Sequence, residues 1–88
     1  MVPTVSRVVE LADIIVRSIV DDANSVNVHG SITEKGIMVE VKVGSGDVGK
    51  IIGKEGRIAS AIRTLVKAAG ARDGQRVMVN VFNRPMEV

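Results

Sequence analysis

The segment Gly53-Lys54-Glu55-Gly56 sets two polar residues between two glycines, directly after Val48-Gly49-Lys50-Ile51-Ile52. A glycine has no Cβ, so it permits a tight turn and lets a ligand approach the backbone. Amides that open a helix present free N–H groups at the positive end of the helix dipole, which favours an anion such as phosphate. Lys50, Lys54 and Arg57 add positive charge at that spot, while Val48, Ile51, Ile52 and Ile58 supply apolar surface for a base to lie against. Binding of a phosphate backbone is the chemistry these residue types can do. The competing reading is a plain helix-turn-helix corner whose glycines provide geometry alone.

Two other phosphate motifs fail on context. Gly44-Ser45-Gly46-Asp47-Val48-Gly49 matches G-x-G-x-x-G, but Gly53 interrupts the helix that should follow it for several turns, and Asp73 precedes its strand instead of ending it. A G-x-x-x-x-G-K-[ST] loop fails because Gly49 and Gly53 are one residue too close and Glu55 stands where Ser or Thr would hold magnesium. The chain has one histidine, His29, and no cysteine, so a zinc site would have to be built mostly from carboxylates, a poor prospect, no Ser-His-Asp or Cys-His set can be assembled, and no enzymatic activity, cofactor or small-molecule substrate is expected. Phe82 is the sole aromatic residue, which excludes recognition by stacking on aromatic platforms.

The elements that must hold this loop follow from hydrophobic periodicity. Val5, Val8, Val9, Ala12, Ile15, Val16 and Ile19 recur at three- and four-residue steps, predicting an amphipathic helix between Pro3 and Val20. Alternation then predicts a strand with Val26, Val28 and Ile32 inward, a turn at Thr33-Glu34-Lys35-Gly36, and a second strand with Ile37, Val39, Val41 and Val43 inward. Asp47 is expected to cap a short helix from Val48 to Ile52. A longer helix runs from near Gly56 to about Ala69, with Ile58, Ala61, Ile62, Leu65 and Ala69 buried, Arg57, Arg63 and Lys67 outside, and Gly70 as its stop. Val77, Val79 and Val81 alternate with Met78, Asn80 and Phe82 in a last strand before Pro85. The order helix-strand-strand-helix-helix-strand predicts an α+β fold. Its three-stranded sheet is mixed, an antiparallel hairpin plus a parallel strand reached by a right-handed crossover, with the helices packed on one face.

Eighty-eight residues, 45% of them apolar, leave room for one domain spanning 1–88. No apolar run approaches the ~20 residues of a membrane span, and the N-terminus has no secretory pattern, so a cytoplasmic protein is expected. The net charge of +2 is unevenly spread. Residues 1–44 carry four basic and six acidic side chains, whereas Gly49 to Arg72 carries six basic ones against Glu55 alone. A polyanion would be drawn to the second segment; a solvated Lys/Arg helix face is the alternative.

Ile51-Ile52-Gly53-Lys54-Glu55-Gly56-Arg57-Ile58 resembles the I-I-G-x-x-G-x-I core of KH domains, and the element order resembles their type II arrangement. Gly46-Asp47-Val48-Gly49 and the stretch Ala61 to Ala69 are similar, more narrowly, to the bacterial single-KH-domain KhpA family. The resemblance implies a domain that clamps about four unpaired RNA nucleotides, with Lys50, Ile51, Ile52, Gly53, Lys54, Glu55, Gly56, Arg57 and Ile58 as its RNA-binding residues. It further implies a post-transcriptional regulator or RNA chaperone, self-association, and a larger Jag-family KH protein as partner. The alternative is a structural adaptor working through homo- or heterodimerisation. Glu55 departs from the pattern by placing a negative charge in the loop, so modest affinity is expected. Asp in place of Gly53 or Gly56 is expected to abolish RNA binding without disturbing the fold. Ala59 and Val66 extend the stripe of the long helix sideways next to Arg63, and this flank is expected to form a homodimer surface that Val66→Glu would break.

Overall fold

A computed structural model describes residues 3 to 81. Helix α1 (Thr4–Ile19) is followed by strands β1 (Asn27–Thr33) and β2 (Gly36–Lys42), helices α2 (Val48–Ile52) and α3 (Arg57–Ala71), and strand β3 (Val77–Val81). The α+β order is the one expected. The sheet order is β1-β2-β3, with β1 antiparallel to β2 and β3 parallel to β2. Phe82 and Pro85 lie outside the described residues. No helix among those residues is long and apolar enough to cross a membrane.

Alternation in the strands decides which face is covered. Ile37, Val39 and Val41 of β2 and Val77, Val79 and Val81 of β3 join one buried cluster with Val8, Ala12 and Val16 of α1 and Ala59, Ile62 and Val66 of α3. Met38, Glu40 and Asn80 fall on the other face, which the helices leave uncovered. Ile32 shares the parity of Val28 but is 78% exposed, so the expected inward alternation of β1 fails at its end.

Helix α3 is rotated relative to expectation. Its buried line is Ala59, Ile62, Val66 and Gly70, whereas Leu65 is 54% exposed and Ala61 lies in solvent. Ala59 and Val66, expected on a dimer surface, are therefore core residues. Gly70 does not stop the helix. It lies inside α3, where any Cβ would collide with the Val77 side chain and come within 3.2 Å of the Gln75 carbonyl. Its own carbonyl accepts from the Asp73 and Gln75 amides at 2.9 and 3.0 Å, and so turns the chain into β3.

The end of α1 is fixed by Arg17, which pairs with Asp13 one turn back and donates through Nη1 to the Ala23 carbonyl at 2.7 Å. That arrangement sets the course of residues 21–25, which run past the loop preceding α2.

Candidate nucleic-acid interface

Helix α2 has barely more than one turn, and the Gly53 amide closes it by donating to the Gly49 carbonyl at 2.9 Å. At Gly53 the backbone turns to φ +76°, and a Cβ there would collide with the Ile58 side chain and lie 2.9 Å from the Ile58 nitrogen. Gly53 is thus required by the packing of α2 on α3, which corrects the expectation that Asp there would spare the fold. Gly56, at φ +74°, has nothing within 4 Å of its Cβ position.

Between the glycines the chain makes one 3-10 turn in which Glu55 also adopts a left-handed conformation, φ 56°. A non-glycine residue there costs about 1–2 kcal/mol. The Gly56 amide donates to the Gly53 carbonyl and the Arg57 amide to the Lys54 carbonyl. The Lys54 and Glu55 amides donate to no acceptor among the described residues. Two neighbouring N–H groups are thereby left for a ligand, on an exposed loop that already spends conformational energy to hold its shape.

The charges around the loop are not all free. Lys50 Nζ lies 2.9 Å from Asp21 Oδ2, and Arg57 pairs with Glu55 at 3.4 Å. Lys54 makes no ion pair among the described residues and stands exposed at the tip. The Lys50 ammonium is held above its ordinary 10.5, first by the hydrogen bond to Asp21 and then by that carboxylate's charge. Both partners are well exposed, so the pair contributes little to stability and a phosphate can exchange with Asp21 at low cost.

Asp21 is placed there by Asp47. The expected helix cap does not form: the Asp47 carboxylate turns away from α2 and accepts from the Asp21 and Asp22 amides, each at 3.0 Å. Asp47 is 3% exposed and is the sole buried charged side chain among the described residues. The Asp21 amide, then the Asp22 amide, hold its carboxyl below the usual 3.8, with burial opposing and Lys50 assisting. A lowered folded value means stabilisation that is present above the unfolded value and disappears as pH falls through the folded one. Asp47→Asn is therefore expected to melt lower than the parent at pH 7, with the gap narrowing below pH 3.8. Melting curves between pH 7 and pH 2.5 check this; a gap that stays constant would detach the effect from the carboxylate's charge.

Of the residues expected to bind RNA, Lys50, Lys54, Glu55 and Arg57 are exposed around the loop, Gly53 and Gly56 frame it, and Ile52 and Ile58 are half-buried behind it. Ile51 is fully enclosed in the core and supports the loop from below, a correction to its expected contact role. Arg63 lies across the flank of α3, with Nε donating to the Val79 carbonyl at 3.2 Å. Sequence reasoning missed Asp21 and Asp47 as a pair, because no periodicity or motif connects positions 25 or 26 apart. No group of three or more His, Asp or Glu among the described residues could hold a metal ion.

Residues 9–81 match the family model described as KhpA/KhpB, KH domain. Over 73 residues the chain is 47% identical to the RNA-binding protein KhpA of Clostridium perfringens, covering 83% of this chain and 97% of that protein. The protein of the same name from Borreliella burgdorferi is 43% identical over 85% of this chain and 92% of its own. That of Bacillus subtilis is 39% identical over 78% and 85% respectively. No solved structure matches the chain significantly.

Proposed function

Because the chain belongs to the KhpA/KhpB KH-domain family, whose named relatives are RNA-binding proteins and not enzymes, we propose that it is a single KH domain that clamps a short stretch of single-stranded RNA. The observation that carries this reading is the pair of unpartnered amides at Lys54 and Glu55 beside the free ammonium of Lys54. A phosphate bridging those amides would sit against Lys54 and be within reach of Lys50 and Arg57. Half-buried Ile52 and Ile58 offer apolar edges to the bases on that strand. As RNA arrives, Lys50 exchanges Asp21 for phosphate, which fits a modest affinity.

Fluorescence anisotropy with a labelled ten-nucleotide single strand and a fully paired hairpin stem tests this reading. The single strand is expected to bind more tightly, because splayed bases fit a cleft that paired ones cannot enter. Its log affinity is expected to fall with log salt at about −0.7 per phosphate contact, hence near −2 from three loop cations. Equal affinity for the two RNAs, or a slope near zero, would sink the proposal. The cellular role we propose for such binding is post-transcriptional regulation or RNA chaperoning in the cytoplasm.

A second reading, assembly, has its own observation. Ala61, Leu65 and Ala68 stand exposed at i, i+4 and i+7 on α3, a strip of apolar surface one helix face wide. This strip, in place of Ala59 and Val66, is the surface through which the chain would pair with a second copy, or with a larger KH protein of the Jag family. Arg63, two residues from both Ala61 and Leu65, projects from another side of the helix toward β3 and is not part of this strip.

A further inference from the structure

A second cluster of unpaired cations lies at the far end of α3 from the glycine loop. Lys35 in the turn between β1 and β2, Lys67 on α3 and Arg76 just before β3 line one open cleft of about 630 Å³, floored by Ala71, Val77 and Met78. None of the three makes an ion pair among the described residues. No acidic residue among the described ones lines the cleft, and Asp73 nearby in sequence is engaged by Arg7 and Thr4. The cleft is assembled by the fold and not by side-chain chance: the Ile37 amide donates to the Arg76 carbonyl at 2.8 Å, which fastens the segment before β3 to the hairpin turn.

The same helix joins this cleft to the loop. Gly56, Ser60, Arg63, Lys67 and Ala71 follow one another at steps of four and three residues, and so share a face of α3 that begins at the loop and ends in the cleft. Arg63, midway, spends Nε on the Val79 carbonyl, and its two terminal nitrogens have no partner among the described residues. From Arg57 to Lys67 the helix rises about 15 Å at 1.5 Å per residue. That is roughly four steps of a stacked strand at ~3.4 Å each. A tetranucleotide held at the loop would therefore end short of the cleft, and a longer strand would reach it.

We propose that Lys35, Lys67 and Arg76 form a second phosphate-binding site, which takes the RNA backbone beyond the nucleotides clamped by the glycine loop. Arg63 bridges the two sites, and half-buried Met78 offers an apolar contact for one further base. The inference rests on the RNA-binding reading and extends its footprint from about four nucleotides to about eight.

The test is a length series of unstructured RNA, four, six, eight and ten nucleotides, titrated against the parent chain, Lys67→Glu alone, and Lys35→Glu/Lys67→Glu/Arg76→Glu. All three side chains are exposed, and melting curves confirm that each variant is folded. The parent is expected to gain at least about tenfold in affinity between four and eight nucleotides. The triple variant is expected to lose that gain, to keep parental affinity for the tetranucleotide within about twofold, and to show a salt slope on the ten-mer shallower by about 2 for three lost contacts. Lys67→Glu is expected to fall between. A triple variant that matches the parent on the ten-mer overturns the second site, as does one that weakens four-mer and ten-mer equally, which would be bulk charge alone. If the parent binds the tetranucleotide and gains nothing with length, the second site fails while the loop reading stands. If no RNA of any length binds the parent, both fail together.

Discussion

Val66→Glu is expected to leave the chain unfolded at 25 °C, whereas Leu65→Glu, one position away, is expected to leave it folded. Val66 is fully buried among the residues that join α3 to α1 and the sheet. Removing its side chain forfeits about 1.5–3 kcal/mol of burial. A carboxylate in its place must then be desolvated or protonated at a further cost of several kcal/mol. The sum reaches the whole stability of a domain this size, roughly 4–13 kcal/mol at 0.05–0.15 kcal/mol per residue. Leu65 is 54% exposed, so its replacement changes stability by about 0.5 kcal/mol or less. What Leu65→Glu is expected to change is assembly, because like charges would meet across any two-fold contact made by that strip. Circular dichroism separates the two variants, and sedimentation of Leu65→Glu against the parent at high micromolar concentration reads the dimer. A folded Val66→Glu protein would contradict the packing described for α3, and a monomeric parent would remove the homodimer.

The largest effect on RNA binding is expected from Lys54→Asp combined with Glu55→Asp, with a loss of at least about 100-fold, near 2.7 kcal/mol. The double change converts a loop tip of balanced charge into one of −2, facing the position a phosphate would take. It leaves the amides and the glycines untouched. Aspartate also tolerates the left-handed conformation at position 55 better than glutamate, so the turn is preserved. Gly53→Ala loses binding for another reason, since its Cβ drives into Ile58 and pushes α2 off α3. Thermal melts distinguish the two: the double variant is expected to melt within a few degrees of the parent, and Gly53→Ala well below it. RNA affinity of the double variant within twofold of the parent would place the binding site away from the loop.

The strands, the helix order and the loop were legible because each is a local signal: period-two alternation in β2 and β3, period-3.6 spacing in α1, and glycines at fixed offsets. The rotation of α3 was not, and the reason is physical. Ranking by hydrophobicity puts Leu65 inside and treats Gly70 as a terminator. Yet Gly70 packs so close to Val77 at the start of β3 that no side chain fits there, and the face that carries Gly70 inward carries Ile62 and Val66 with it and leaves Leu65 outside. Ile32 misled for the opposite reason, since it keeps its parity but nothing covers that end of the strand. Asp47 read as a cap because capping rules look two or three residues ahead. Its acceptors' partners are the amides of Asp21 and Asp22, which only the tertiary fold brings near.

The bonds from Asp21 and Asp22 to Asp47 span 26 and 25 residues of chain. On a ribosome, the two amides emerge well before the carboxylate that receives them, with the whole β1–β2 hairpin between them in the chain. Parallel pairing of β3 on β2 comes later still, since residues 77–81 follow α3 in the chain. A chain made only as far as Gly56 displays the sequence Gly53-Lys54-Glu55-Gly56 with no α3 seated behind the loop. On the RNA-binding reading, the grip therefore belongs to the finished domain and not to the four-residue motif alone.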